Sequence, residues 1–202
     1  MRVLVLTPEA IGGQGGIAKY NRDLLRALCA HPRCTEVVAI PRIADGDPGR
    51  STSPNLTYLT TGANNKARYI SAVLNSIRRD RRYALVVCAH INLLELAYVA
   101  KLRVGAPLVL VLYGIDAWQP KRRWLAGRRL KWINAFITIS EFTKERFLSW
   151  SHVRGARGFV LPNAFDGHEH GAGDKNPALL NRYGLIDRTV LMTLGRLDSR
   201  ER

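Results

Sequence analysis

Seven short apolar runs recur along the chain, several of them unbroken rather than alternating: VLVLT from Val3, EVVAI from Glu36, LTYLT from Leu56, ALVVCA from Ala84, PLVLVLY from Pro107, AFITI from Ala135 and GFVLP from Gly158. A strand that is apolar on both faces must be covered on both faces, and a parallel sheet with helices above and below provides that cover. The segments between the runs have helical spacing. Ile17, Tyr20, Leu24 and Leu28 form one stripe, and the stretch from Leu93 to Gly105 ends in basic residues and a glycine, as a helix C-terminus should. Ser140 stands where a helix cap belongs, with the negative charge of Glu141 behind it. The expected fold is α/β, a doubly wound parallel sheet of Rossmann type.

The pattern covers residues 1–162. From Asn163 to Asn176 the chain is rich in glycine and turn formers and has no apolar period, which predicts a linker. Residues 177–202 then supply a helical piece, PALLNRYG, and one apolar strand, TVLMTLG; a lone strand makes no domain, so they read as the first elements of an incomplete second α/β domain. With 47% hydrophobic and 23% charged residues the chain is globular, and no run approaches the roughly 18 apolar residues of a membrane span. Cys29, Cys34 and Cys88 are odd in number and lack a C-x-x-C, and the apolar N-terminus stops at Pro8, so a cytoplasmic chain is expected. Lys and Arg number 31 against 16 Asp and Glu, a net charge of +15 that favours anionic partners.

Four glycines fall in the five positions of GGQGG, Gly12 to Gly16, between the first strand and the first helix. Read as Gly13-x-Gly15-x-x-Ala18 they satisfy the fingerprint of a dinucleotide-binding turn. Two features oppose that reading: residues 7–11 intervene after the strand, and EVVAI ends in Pro41 and Arg42 rather than in an acid for the ribose. Arg42 suits a 2′-phosphate, which keeps an NADP-dependent reductase as an alternative. No G-K-[ST] follows, which excludes a P-loop. The other reading is an anion cradle, in which Gly15 and Gly16 let the backbone approach a phosphate at the start of the helix.

GGQGGIAKYNRDLLRAL, CAHINLL, PLVLVLYGIDAW, ITISEFTKERF, VLPNAFD and TLGRLDSRER occur in this order. Together they resemble the family-4 retaining glycosyltransferases of GT-B architecture, over nearly the whole chain. The resemblance implies transfer of a sugar from a nucleotide-sugar donor with retention of configuration and without metal or other cofactor. The N-terminal domain would shape the acceptor site and the C-terminal domain would hold the donor. Gly15 and Gly16 would line the cleft near phosphates, Asn163 would mark the entry to the interdomain hinge, and Arg196 would neutralise the departing diphosphate. The acceptor would be a cell-envelope polysaccharide or a lipid-linked glycan.

Two departures from the family stand out. Where it usually carries a histidine after the central strand, this chain has Tyr113, followed by Gly114; a tyrosine can bond a sugar hydroxyl but lacks histidine's acid-base capacity near neutrality. His90, at the end of the preceding strand, is the other cleft candidate, and Asp116 is placed to accept from an acceptor hydroxyl or to cap a turn. The family's donor-binding lysine and paired glutamates are also not among these residues, so the chain is expected to be inactive by itself. The segment KRRWLAGRRLKW, with Lys121, Arg122, Arg123, Arg128, Arg129 and Lys131 between tryptophans, suits an anionic membrane surface at the inner face of the cell membrane. A basic α/β module that only binds such a surface is the non-enzymatic alternative. No nucleic-acid motif accompanies the charge, and His168 and His170 of HEH lack partner ligands for a metal.

Overall fold

The computed structural model describes residues 1–44, 53–119, 130–153, 155–165 and 173–193. Seven strands, β1 (Arg2–Thr7), β2 (Glu36–Pro41), β3 (Leu56–Tyr58), β4 (Tyr83–Cys88), β5 (Leu108–Leu112), β6 (Ala135–Thr138) and β7 (Arg157–Val160), form one sheet in the order β3-β2-β1-β4-β5-β6-β7. Every pairing is parallel, with Val5 opposite Ala39 on one side and Val87 on the other. The helices are α1 (Gly16–Ala30), α2 (Lys66–Arg79), α3 (Leu94–Val104), the single turn α4 (Ile115–Trp118), α5 (Glu141–Ser151) and α6 (Pro177–Tyr183).

The strands have this continuous apolar character because each feeds two cores. Leu4, Leu6, Val38, Ile40, Leu108 and Leu110 pack on one face against Tyr69, Val73 and Ile77 of α2, Ala97 of α3 and Phe147 of α5. Val3, Val5, Val37, Ala39 and Val111 pack on the other face against Tyr20 and Leu25 of α1. At roughly 1.5–3 kcal/mol for each fully buried aliphatic side chain, these faces set the register of the sheet. Capping follows the sequence: Ser140 Oγ accepts from the Thr143 N–H at 3.1 Å, and Gly105 closes α3 in the left-handed conformation.

The chain divides into two compact units, 1–164 and 165–202. In the second, Asn176 caps α6 by accepting from the Ala178 N–H at 2.9 Å, and Gly184 ends it. The expected strand TVLMTLG is not formed among its described residues, where Leu191 and Met192 are 96% and 83% exposed. A strand is made by pairing, and the described residues of this segment are not paired. No helix among the described residues is long and apolar enough to cross a membrane.

Candidate functional site

The strand order turns around between β1 and β4: from β1 the chain winds outward to β2 and β3, then returns beside β1 and continues to β7. The loops leaving the carboxyl ends of those two central strands diverge, and the crevice between them is where open α/β sheets bind ligands. The glycine turn leaves β1 at this crevice, His90 leaves β4, and Tyr113 and Asp116 leave β5.

The glycine turn is held from within. Arg22, on the second turn of α1, donates from Nη1 to the carbonyls of Ala10 at 3.0 Å and Gly13 at 2.8 Å. Asn21 donates from Nδ2 to the Glu9 carbonyl at 2.9 Å, which Thr7 Oγ1 also reaches at 3.0 Å. Gly15 precedes the helix at φ 89° and ψ 177°, a conformation essentially confined to glycine. A side chain at Gly13 would stand 2.9 Å from Ala18 Cβ, so the turn packs directly on α1; one at Gly16 would meet nothing within 4 Å. The start of α1, where the positive end of the helix dipole lies, has no side-chain cap, and there is room for a side chain beside Gly16.

Tyr113 occupies the floor rather than the mouth of this crevice. It is 8% exposed, its hydroxyl donates to Asn21 Oδ1 at 2.6 Å, and its ring meets Tyr20 edge-on at 5.4 Å. Burial, with the nearby Tyr20 and Asp116, pushes its phenol above the ordinary tyrosine value, so it stays protonated. Tyr20, its own phenol raised by burial to about 12, donates at 3.1 Å to the Leu161 carbonyl just beyond β7. Asn21 is thus the joint between the turn after β1 and the end of β5. It sits one turn after Ile17 on the buried stripe of α1, and a polar residue inside an apolar stripe is the sequence signal that marks it.

His90 and Asp116 are brought together, with His90 Nε2 3.9 Å from Asp116 Oδ2. Asn163 is exposed, two residues past Leu161. Arg42 lies over the Tyr69 ring, 6.0 Å from its centroid. Lys131 and Trp132 are exposed, whereas Lys121, Arg122, Arg123, Arg128, Arg129, His168, His170 and Arg196 lie outside the described residues.

The model of Glycosyltransferase Family 4 matches residues 14–168, from the glycine turn through β7. The chain belongs to glycosyltransferase family 4. That membership favours a transferase over a nicotinamide-dependent reductase. Similar solved structures include HepE of Anabaena in complex with UDP-glucose, at TM-score 0.61 and 18% identity over 93% of this chain and 50% of that one. The lipopolysaccharide outer core galactosyltransferase WaaB, in its apo form, matches at TM-score 0.54 and 16% identity over 82% of this chain and 46% of that one. A sucrose-phosphate synthase chain from Thermosynechococcus elongatus matches at TM-score 0.58 and 15% identity, over 92% of this chain and 97% of that one. At these identities the likeness is one of fold, and the fold is that of a GT-B N-terminal domain. The family-4 chain described here spans about half the length of the HepE and WaaB chains. Among curated protein sequences, none matches it.

Proposed function

We propose that this chain is the acceptor-side half of a retaining glycosyltransferase that moves a hexose from a nucleotide-sugar donor to a cell-envelope polysaccharide or lipid-linked acceptor. The observation that carries the reading is the uncapped start of α1 at the switch point, behind a glycine turn clamped by Asn21 and Arg22. Such a start receives a phosphate on fixed N–H groups and needs no reorganisation to do so. The HepE structures, which hold UDP and UDP-glucose, support a donor of that class. In this reading Gly15 and Gly16 approach the phosphates, Asp116 and His90 meet the sugar, Asn163 stands at the hinge, and Arg196 neutralises the diphosphate as it leaves.

The donor-reading residues belong to the other half of such an enzyme, so residues 1–202 alone are expected to give no turnover. The test compares nucleoside diphosphate release by residues 1–202 with release by a protein that joins them to a donor-binding half. Transfer by residues 1–202 alone, or none by the joined protein with any nucleotide sugar, overturns the reading.

The same reading places the enzyme in the cytoplasm, at the inner face of the membrane. Exposed Lys131 and Trp132, at the end of the basic aromatic segment, favour contact with anionic headgroups. Liposome sedimentation should show binding to anionic vesicles that neutral vesicles lack; equal binding to both, or to neither, removes the membrane from the proposal.

A further inference from the structure

Helices α2 and α3 each link two parallel strands and pack on the same face of the sheet, so they lie side by side and run in the same direction. α3 turns its small residues inward. Ala97 and Ala100 are fully buried against the sheet, whereas Val99 and Leu102 are 40% and 64% exposed. An amphipathic helix of a globular domain ordinarily does the reverse and spends its large aliphatic side chains on the core. Between the two helices runs a groove of about 570 Å³, lined by Val99 and Leu102 of α3 and by Leu74 and Ile77 of α2. That volume is in the range of small-molecule sites.

The groove is cationic at one end only. Arg78 and Arg103 complete its lining, each in the last turn of its helix. Both are exposed, and neither has an acidic partner among the described residues. Asp80, which follows α2, is taken by Arg2 and Arg82. The helix dipole favours cations in a last turn, but it asks for no aliphatic groove beside them. This is also not the end of the sheet that holds the crevice: α2 and α3 finish where β4 and β5 begin.

The order of parts along the groove selects its occupant. A second copy of this chain, with the same net charge of +15, would set arginines against arginines across a two-fold interface. An acidic amphipathic helix carries its charges along one whole side, whereas here the cations stand at one end. A nucleic acid would leave the aliphatic lining unused. An anionic lipid has the matching sequence of parts, an acyl chain for Leu74, Val99 and Leu102 and a phosphate for two guanidinium groups, which bind phosphate through paired N–H donors. α3 also carries Tyr98, whose ring lies 6.2 Å from that of exposed Trp132, a residue type suited to the edge of a bilayer.

We propose that the groove between α2 and α3 binds one anionic phospholipid drawn from a bilayer, with an acyl chain between the helices and the phosphate between Arg78 and Arg103. The site lies away from the crevice and does not depend on the transferase reading.

The test uses residues 1–202 carrying 13C-labelled methyl groups on isoleucine, leucine and valine. The probes are lysophosphatidylglycerol and lysophosphatidylcholine below their micelle concentrations, inorganic phosphate, and vesicles of phosphatidylglycerol. Lysophosphatidylglycerol should shift the Leu74, Val99 and Leu102 methyl signals saturably, and inorganic phosphate should leave them unmoved. Lysophosphatidylcholine, whose choline cancels the phosphate charge, should bind about tenfold or more weakly. Arg78→Gln and Arg103→Gln should each weaken lysophosphatidylglycerol about tenfold or more, the worth of a hydrogen bond to a charged group. Leu102→Gln should weaken it as well while leaving thermal unfolding unchanged, since the side chain is exposed. Trp132→Ala should leave binding of the monomeric lipid unchanged, which separates the groove from the basic aromatic segment. Equal affinity for the two lysolipids, indifference to both arginine substitutions, or shifts confined to other methyl groups overturns the site. Binding of the lysolipid without binding to the vesicles overturns the bilayer as its source. An acidic helical peptide that moves these methyl signals when the lipid does not assigns the groove to a protein partner, and that also overturns the proposal.

Discussion

Replacing Asn21 with leucine keeps the side chain's volume and removes both of its hydrogen bonds. The bond from Nδ2 to the Glu9 carbonyl is worth about 1 kcal/mol net. The carbonyl is not orphaned, because Thr7 Oγ1 still reaches it. Tyr113 fares worse, since its buried hydroxyl loses the Asn21 acceptor at 2.6 Å. A buried donor left unpaired costs roughly 1–3 kcal/mol, so Asn21→Leu should destabilise by about 2–4 kcal/mol. For a chain of this length that is a fall in Tm of about 5–15 °C. Tyr113→Phe should cost about 1–2 kcal/mol, because it leaves Asn21 Oδ1 unpaired in turn. The combined variant has neither orphan, so its cost should be about 1–2 kcal/mol less than the sum of the two. Urea unfolding followed by tryptophan fluorescence measures all four corners of the cycle. Additivity within roughly 0.5 kcal/mol would mean that the two side chains are not joined, and the account of the crevice floor would be wrong.

Four further outcomes follow from the geometry. Gly15→Ala, at a φ of 89° and ψ of 177°, should cost roughly 1–3 kcal/mol in thermal unfolding. Gly16→Ala, with open space around it, should leave stability equal or slightly raised while lowering transfer in the joined two-half protein. The Arg82 side chain and backbone N–H, with Arg2 beside them, hold Asp80 at about 2, below its ordinary 3.8. The stabilisation this gives is fully present above the ordinary value and is lost as pH falls through 2. Acid unfolding of Asp80→Asn should therefore lack that part of the slope between pH 4 and 2, and an unchanged slope refutes the pairing. Burial raises the Cys88 thiol to about 12 and Cys34 is buried, so a thiol reagent should label Cys29 in the native protein and the other two only in denaturant.

The sheet was legible because its signal is local. An unbroken run such as PLVLVL states that both faces of β5 are covered, and Leu108, Leu110 and Val111 are indeed fully buried on opposite sides. LTYLT yields only Leu56–Tyr58 as a strand, because β3 is the sheet edge and has one neighbour to pair with. TVLMTLG has the composition of a strand, but composition cannot supply a partner, and its described residues remain unpaired. The glycine turn could be placed before a helix by spacing alone. The crevice floor could not: Asn21 and Tyr113 are separated by 92 residues, and the fact that the tyrosine points inward depends on where β5 lands beside α1. His90 and Asp116 could each be singled out in its own segment, but their approach to 3.9 Å depends on β4 and β5 lying side by side.

The bond from Tyr20 to the Leu161 carbonyl spans 141 positions of the chain and ties the helix of the glycine turn to the exit of the last strand. Leu161 is pinned on its other side by Thr138, whose carbonyl accepts its N–H at 2.8 Å. In mechanical terms this is an anchorage with two attachments, one to the sheet and one to α1. Tension applied to the chain beyond Leu161 reaches Tyr20 directly, and from there Asn21 and the turn, without crossing the strands between. The polypeptide leaves the sheet at the point where a pull on it would be felt by the glycines.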